Sequence, residues 1–172
     1  MKSMLFTHPR AAARVPVRGV GLIEAMTSVL LLSLCALSYA ALQLRGLSAN
    51  SSALWRSKAA MLSYEMADRM RANRAGVTAG SYNSLTVPAS VTDCGSTSSC
   101  APARMAALDY SQWSAAVGAQ IPGGSGVVCL DSTPDDGTAD APGCDGAGTG
   151  FAVKVFWRER DTVARLAVAV RP

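Results

Sequence analysis

Histidine is almost missing from this chain of 172 residues, since His8 is the only one. The sequence also lacks a Gly-x-Ser-x-Gly motif and a phosphate-binding glycine loop, so no nucleophile–base pair and no nucleotide site is indicated. Its five cysteines form no Cys-x-x-Cys pair, which makes zinc the weaker interpretation of them. We therefore expect no enzymatic activity, no metal or other cofactor and no small-molecule substrate.

Charge is scarce from Val20 to Leu44, where Glu24 is the only charged residue. The run from Ala25 to Leu44 has none, although the chain as a whole is 16% charged. Roughly 20 apolar residues at about 1.5 Å each match a hydrocarbon core about 30 Å thick. We predict that residues 20–44 form a transmembrane helix.

Acidic residues are absent from residues 1–19, which carry four bases. Subtracting these four from the 16 bases of the chain leaves 12 bases against 12 acids, so the net charge of +4 belongs to this segment. Basic residues beside an apolar helix favour the cytoplasmic side, and the two prolines oppose a helix there. We predict a cleaved basic leader rather than a nucleic-acid-binding face.

Helical periodicity continues after the apolar run. An apolar stripe recurs at helical spacing, and its members are Trp55, Ala59, Leu62, Met66 and Met70. Glu65 and Arg69, on the other face, have the i, i+4 spacing of a favourable ion pair. We predict that residues 45–75 are the amphipathic half of the same helix, which would reach Arg74 and stop at Gly76.

Residues 76–172 are predicted to form a globular head. Its first part, residues 76–102, is rich in glycine, serine, threonine and proline, which indicates loop. A helix is expected from Ala103 to Val117, because four positions at helical spacing would face inward: Ala106, Tyr110, Trp113 and Val117.

After residue 124 the apolar period changes from 3.6 to 2. We predict strands at Val127–Leu130, Phe151–Arg158 and Val163–Val170, with the last two joined as a hairpin by a turn at residues 159–161. In the second strand we expect Phe151, Val153, Val155 and Trp157 on one face and Ala152, Lys154, Phe156 and Arg158 on the other. The expected fold class is α+β, a long N-terminal helix packed against a small antiparallel sheet.

Four cysteines lie in the predicted head, and Cys35 lies within the apolar run. Four cysteines in a loop-rich exported domain indicate two disulfides, for which three pairings are possible. We favour Cys94 with Cys100 and Cys129 with Cys144, because each closes a short loop. Cys35 is interpreted as a small lipid-facing or helix-packing residue.

The segment 132–150 is rich in aspartate and glycine and is predicted to be a surface loop. Calcium binds six to eight oxygen ligands, and five aspartates could provide some of them: Asp131, Asp135, Asp136, Asp140 and Asp145. Their spacing is not that of an EF-hand loop, so a solvated loop is the preferred interpretation.

Residues 18–25 read Arg-Gly-Val-Gly-Leu-Ile-Glu-Ala. This segment resembles a class III signal, the type IV prepilin processing site, through its basic leader, glycine, apolar run and single glutamate. The resemblance implies that prepilin peptidase cuts between Gly19 and Val20 and that the new N-terminus is methylated. It also places Glu24 fifth in the mature chain, although Val20 stands where the family usually has phenylalanine.

Glu24 is the residue of this motif with the clearest physical requirement. An ionised carboxylate at the edge of hydrocarbon costs several kcal/mol unless it is paired. The resemblance implies that the partner is the amino terminus of an adjacent subunit. The alternative is a carboxylate that reaches the lipid headgroups from a plain anchor helix.

A second resemblance narrows the family. Residues 41–47, 64–74, 109–113 and 121–124 resemble PilV, the type IV pilus modification protein, and the similarity covers most of residues 18–125. It implies a minor pilin that primes pilus assembly, with prepilin peptidase, other minor pilins, the major pilin and the inner membrane as partners. The implied location is a single pass of the inner membrane with a periplasmic head, followed by an extracellular filament.

Three alternatives are kept. A type II secretion minor pseudopilin shares the leader. A DNA-uptake pilin would need a basic head, whereas residues 75–172 hold six bases against nine acids, so no nucleic acid is expected as a partner. A bitopic anchored enzyme would keep its leader.

Overall fold

The computed structural model of the chain describes residues 20–91, 94 and 100–171. Its elements are α1 (Val20–Ala72), α2 (Arg74–Thr78), α3 (Pro102–Gln120), β1 (Ser125–Leu130), β2 (Phe151–Glu159) and β3 (Thr162–Val170). The chain divides into two compact units, of which the first ends at Leu47 and the second begins at Ser48. The predicted leader, including Gly19, lies outside the described residues.

The core of the second unit is built from the C-terminal half of α1, from α3 and from the sheet. Five small or apolar side chains of α1 are buried in it, namely Ala59, Leu62, Met66, Ala67 and Met70. The four positions of α3 that were expected to face inward are all buried, so this prediction is confirmed. Trp113 is fully buried, and its indole Nε1 donates to the Leu62 carbonyl at 2.8 Å, which ties α3 to α1.

The sheet has three antiparallel strands in the order β1-β2-β3. β2 and β3 pair from Glu159 with Thr162 to Phe151 with Val170, as the predicted hairpin requires. The two-residue turn between them has Arg160 at a φ of 55°, a conformation that turns of this length demand. On the other side of β1, Leu85 forms an isolated bridge with Val128.

The prediction that the long helix reaches Arg74 and stops at Gly76 is wrong. α1 ends at Ala72, and Gly76 lies buried inside the short helix α2. A Cβ on Gly76 would lie 2.5 Å from Asn73 Nδ2 and 2.9 Å from the Pro102 carbonyl. The position therefore requires glycine because of close packing, since only a hydrogen atom fits between these groups.

Both faces of β2 are buried. Every residue from Phe151 to Trp157 is buried, including Lys154 of the second face. The segment that follows β1 lies over this second face, because Asp131, Asp136 and Pro142 all contact the Lys154 ammonium. A strand covered on both faces buries all of its side chains.

The substitution Gly126→Ala is expected to destabilise the second unit. A Cβ at this position of β1 would overlap the ring of the fully buried Trp113, and overpacking of this kind costs about 1–3 kcal/mol. Gly118→Ala is the control, because Gly118 is exposed on α3 and alanine there is expected to stabilise by about 0.5–1 kcal/mol. Urea unfolding of the detergent-solubilised chain, followed by tryptophan fluorescence, measures both. Equal midpoints for the two variants would contradict the packing described.

Candidate functional site

The first unit presents an apolar helical surface to its surroundings. Every large apolar side chain of α1 from Leu22 to Leu47 is exposed, with exposed fractions between 55% and 76%. Among the described residues, α1 is the one helix long and apolar enough to cross a membrane. Soluble monomers rarely expose so much contiguous apolar surface, and this helix fits a membrane anchor.

Two serine hydroxyls on this apolar helix are satisfied by its own backbone. Ser33 Oγ donates to the Val29 carbonyl at 2.7 Å, and Ser38 Oγ donates to the Leu34 carbonyl at 2.9 Å. Such bonds let serine enter hydrocarbon without an unpaired donor. Cys35 is exposed and has a free thiol.

Glu24 is different, because its carboxylate forms no ion pair or hydrogen bond with any described side chain. Thr27 Oγ1 contacts only the Glu24 backbone carbonyl, at 3.0 Å. The helix itself therefore leaves one acid exposed on an apolar surface. Chemically, this position is suited to bind a cationic group supplied from outside the described residues.

At the other end of α1 the polar side chains are densely paired. Arg69 contacts Glu65 at 2.9 Å, as its i, i+4 spacing predicted. It also contacts Asp109 of α3 at 3.3 Å and Gln112 of α3 at 2.9 Å. One guanidinium thus connects two turns of α1 to α3, which its planar set of donors allows.

Asn73 closes the gap between α1 and α2. Its side-chain oxygen accepts from the Gly76 N–H at 3.1 Å, and its Nδ2 donates to the Pro102 carbonyl at 2.8 Å and to the Tyr82 hydroxyl at 3.1 Å. The Tyr82 hydroxyl in turn donates to Asp109 at 2.5 Å. Burial, together with this bond to Asp109, raises the pKa of Tyr82 well above its usual value.

Sequence reasoning missed this network of Arg69, Asn73, Tyr82 and Asp109. The one available signal is that Asp109 falls on the inward stripe of α3, one residue before Tyr110, and is buried. A buried acid on an apolar stripe indicates a nearby donor. Its partners are 27 and 40 residues away along the chain, so no local pattern identifies them.

The four cysteines of the head form two disulfides in the structure, Cys94 with Cys100 and Cys129 with Cys144. They close loops with sequence separations of 6 and 15 residues. The second disulfide joins β1 to the aspartate-rich segment. The second disulfide therefore ties a loop to the sheet of the second unit.

Residues 132–150 are exposed or partly exposed and form no helix or strand, as predicted for a surface loop, but two of the aspartates contact a buried lysine. Asp131 is buried and lies 2.6 Å from the Lys154 ammonium, which is itself completely buried. Asp136 lies 2.7 Å from the same ammonium. Burial alone would lower the pKa of Lys154, but the hydrogen bonds and charges of these two carboxylates outweigh it and raise that pKa. The same hydrogen bond lowers the pKa of Asp136.

No cluster of three or more potential histidine, cysteine or carboxylate ligands for a metal ion occurs in the part of the chain that the structure describes. Asp145 accepts from the Ser132 hydroxyl and from the Ser132 and Ala147 N–H groups, and Asp135 pairs with Arg165 at 2.9 Å. Most of the aspartates considered as calcium ligands are thus engaged by protein donors.

The substitution Tyr82→Phe is expected to lower the free energy of unfolding by roughly 1.5–3 kcal/mol at neutral pH, because Asp109 loses a charge-assisted hydrogen bond. The pH dependence should change as well. Unfolded tyrosine ionises above about pH 10. Because the pKa of Tyr82 is higher still in the fold, its stabilising contribution is complete below about pH 10 and is lost as the pH rises further.

Chemical unfolding between neutral pH and pH of about 11 measures this contribution, since the variant should lose less stability above pH 10 than the parent. Tyr64→Phe is the control, because Tyr64 is an exposed tyrosine of α1 and its loss should change stability by less than about 0.5 kcal/mol. Identical alkaline behaviour of the parent and Tyr82→Phe would show that Tyr82 is not coupled to folding.

A comparison with protein families found a match to part of the chain. Residues 41–111 match the family model described as Tt1218-like: Type IV pilin Tt1218. The match contains the end of the apolar run, the amphipathic half of α1 and the network around Asp109. No curated protein and no solved structure matched the chain. The long apolar N-terminal helix followed by a three-stranded antiparallel sheet is a type IV pilin-like α+β architecture, and the match supports a type IV pilin.

Proposed function

We propose that this chain is a minor pilin that primes or modifies the assembly of a type IV pilus. The observation that carries the proposal is Glu24, an acid on the exposed apolar surface of α1 with no ionic partner among the described residues. An anchor helix without an assembly role has no need of this acid, whereas a subunit that must recognise another chain within the membrane does. The family match over residues 41–111 supports a pilin, and the resemblance to PilV supports the minor subtype.

The proposed processing step removes residues 1–19 and leaves Val20 as the methylated N-terminus. Support comes from the sequence itself, in which Gly19 follows a basic segment and precedes an apolar run with the single acid Glu24. Four bases precede this position, and they would hold the leader on the cytoplasmic side, where prepilin peptidase acts on it.

Assembly is proposed to move α1 from lipid into a bundle of like helices. Its apolar side chains stay out of water in both surroundings, so the hydrophobic effect favours neither strongly. Glu24 changes this balance, because its carboxylate gains a cationic partner in the amino terminus of the neighbouring subunit. A single charged pair near the end of the helix would also set the register of addition. The proposed neighbours are other minor pilins and the major pilin.

Mass spectrometry of the purified N-terminus tests the processing step. The expected mature chain begins at Val20 with a methylated amino group. Gly19→Val is expected to abolish cleavage, because a branched side chain prevents the close approach of the extended backbone to the protease. Gly21→Ala is the matched control and should be cut normally, since a Cβ there meets nothing within 4 Å. An intact leader on the parent protein would refute the proposal and favour an anchored protein of another class.

Removal of the Glu24 charge tests the assembly step. Glu24→Ala and Glu24→Gln should each lower the amount of this subunit in sheared filaments at least about tenfold, as expected when one partner of a desolvated pair is lost. Total membrane-bound protein should be unchanged. Glu159→Gln, which removes a carboxylate at the end of β2, is the control and should assemble normally. Normal incorporation of both Glu24 variants would contradict the proposed role.

The same strains, with a deletion strain, separate the pilus from the type II secretion alternative. A minor pilin predicts loss of twitching motility with normal exoprotein secretion. A pseudopilin predicts the reverse result.

A further inference from the structure

The Lys154 ammonium lies inside a set of oxygen atoms from a single stretch of chain. Asp131 Oδ2 is 2.6 Å away, Asp136 Oδ1 is 2.7 Å away, and the carbonyl oxygens of Pro142 and Asp136 are at 2.7 Å and 3.2 Å. The lysine side chain has no exposed surface, and neither has the side chain of Asp131. All four oxygens belong to residues 131–142, here called the acidic loop, whereas Lys154 belongs to β2.

The oxygens around the Lys154 ammonium resemble the ligands of a bound hard cation. Carboxylate and backbone carbonyl oxygens that converge from one acidic loop are the ligands by which proteins hold calcium. An ammonium group offers three N–H donors, and here they hydrogen-bond to the Asp136 carboxylate and to the carbonyls of Asp136 and Pro142, while the Asp131 carboxylate is held as an ion pair. Because Lys154 is covalently part of β2, this cation is present whenever β2 is in place.

A second strand contributes in the same way. Arg165 of β3 donates to the Gly137 carbonyl at 2.5 Å and to the carbonyl and carboxylate of Asp135 at 2.8 Å and 2.9 Å. The acidic loop is therefore held by two cations from adjacent strands, of which only Lys154 is completely buried. Because Lys154 is buried, loss of its contacts is expected to destabilise the loop more than loss of those of Arg165.

We propose that the Lys154 ammonium is an internal cation that holds the acidic loop closed over β2, so that the loop folds without a bound metal ion. This inference concerns the surface of the head and does not depend on the proposed role in pilus assembly. Lys154 thus supplies to the oxygens of this loop the positive charge that a metal ion supplies in a calcium-binding loop.

Hydrogen–deuterium exchange of the full chain in detergent micelles tests the proposal. The readouts are the hydrogen-bonded amides of Thr133, Thr138 and Ala141 within the acidic loop. In the parent protein, their exchange should be the same with a metal chelator and with added calcium. Lys154→Met should increase it at least about tenfold. Lys58→Met is the matched control and should change nothing there, because Lys58 Nζ reaches only the Gln120 carbonyl, at 3.4 Å, and the ring of Trp55.

A double variant guards against general unfolding, because Lys154→Met alone leaves the buried Asp131 without its partner. Asp131→Asn combined with Lys154→Met removes both charges. Exchange in α3 should then match the parent, while the acidic loop still exchanges at least about tenfold faster. Two results would overturn the proposal: loss of loop protection in the parent on chelation, or parent-like loop protection in both Lys154 variants.

Discussion

Helix α1 is one continuous helix whose first part exposes its apolar side chains and whose second part buries them in the core. The rest of the structure depends on this difference. Before residue 48 its apolar side chains are exposed, and the chain offers them no partner among the described residues. From Ala59 onward one apolar face is covered by α3 and the sheet. Burial of the covered face stabilises the fold through the hydrophobic effect within the chain. The exposed face needs lipid or other chains to shield it from water.

Two buried polar groups determine how the head is arranged around this helix. Asp109 of α3 accepts hydrogen bonds from Arg69 of α1 and from Tyr82 in the loop after α2, and so it joins these three segments. Lys154 of β2 pairs with two carboxylates of the acidic loop and so joins this loop to the sheet. Groups of this kind add little net stability compared with apolar contacts, but breaking one partner is costly. They therefore favour one arrangement of the loops over others of similar apolar burial.

The two units differ in how their acidic side chains are paired. The proposed assembly determinant, Glu24, lies in the first unit and has no partner among the described residues. The ion pairs of the described part of the head all join residues of the second unit.

The sequence by itself determined the elements whose pattern is local. The apolar run, the inward positions of α3 and the hairpin of β2 and β3 all follow from periodicity, because each residue's environment repeats every 3.6 or 2 positions. Only the tertiary structure decided the role of Gly76, the partners of Asp109 and the burial of Lys154. In each case the contact joins residues that are distant in the chain, and the second face of β2 looks solvent-exposed until the acidic loop is folded over it.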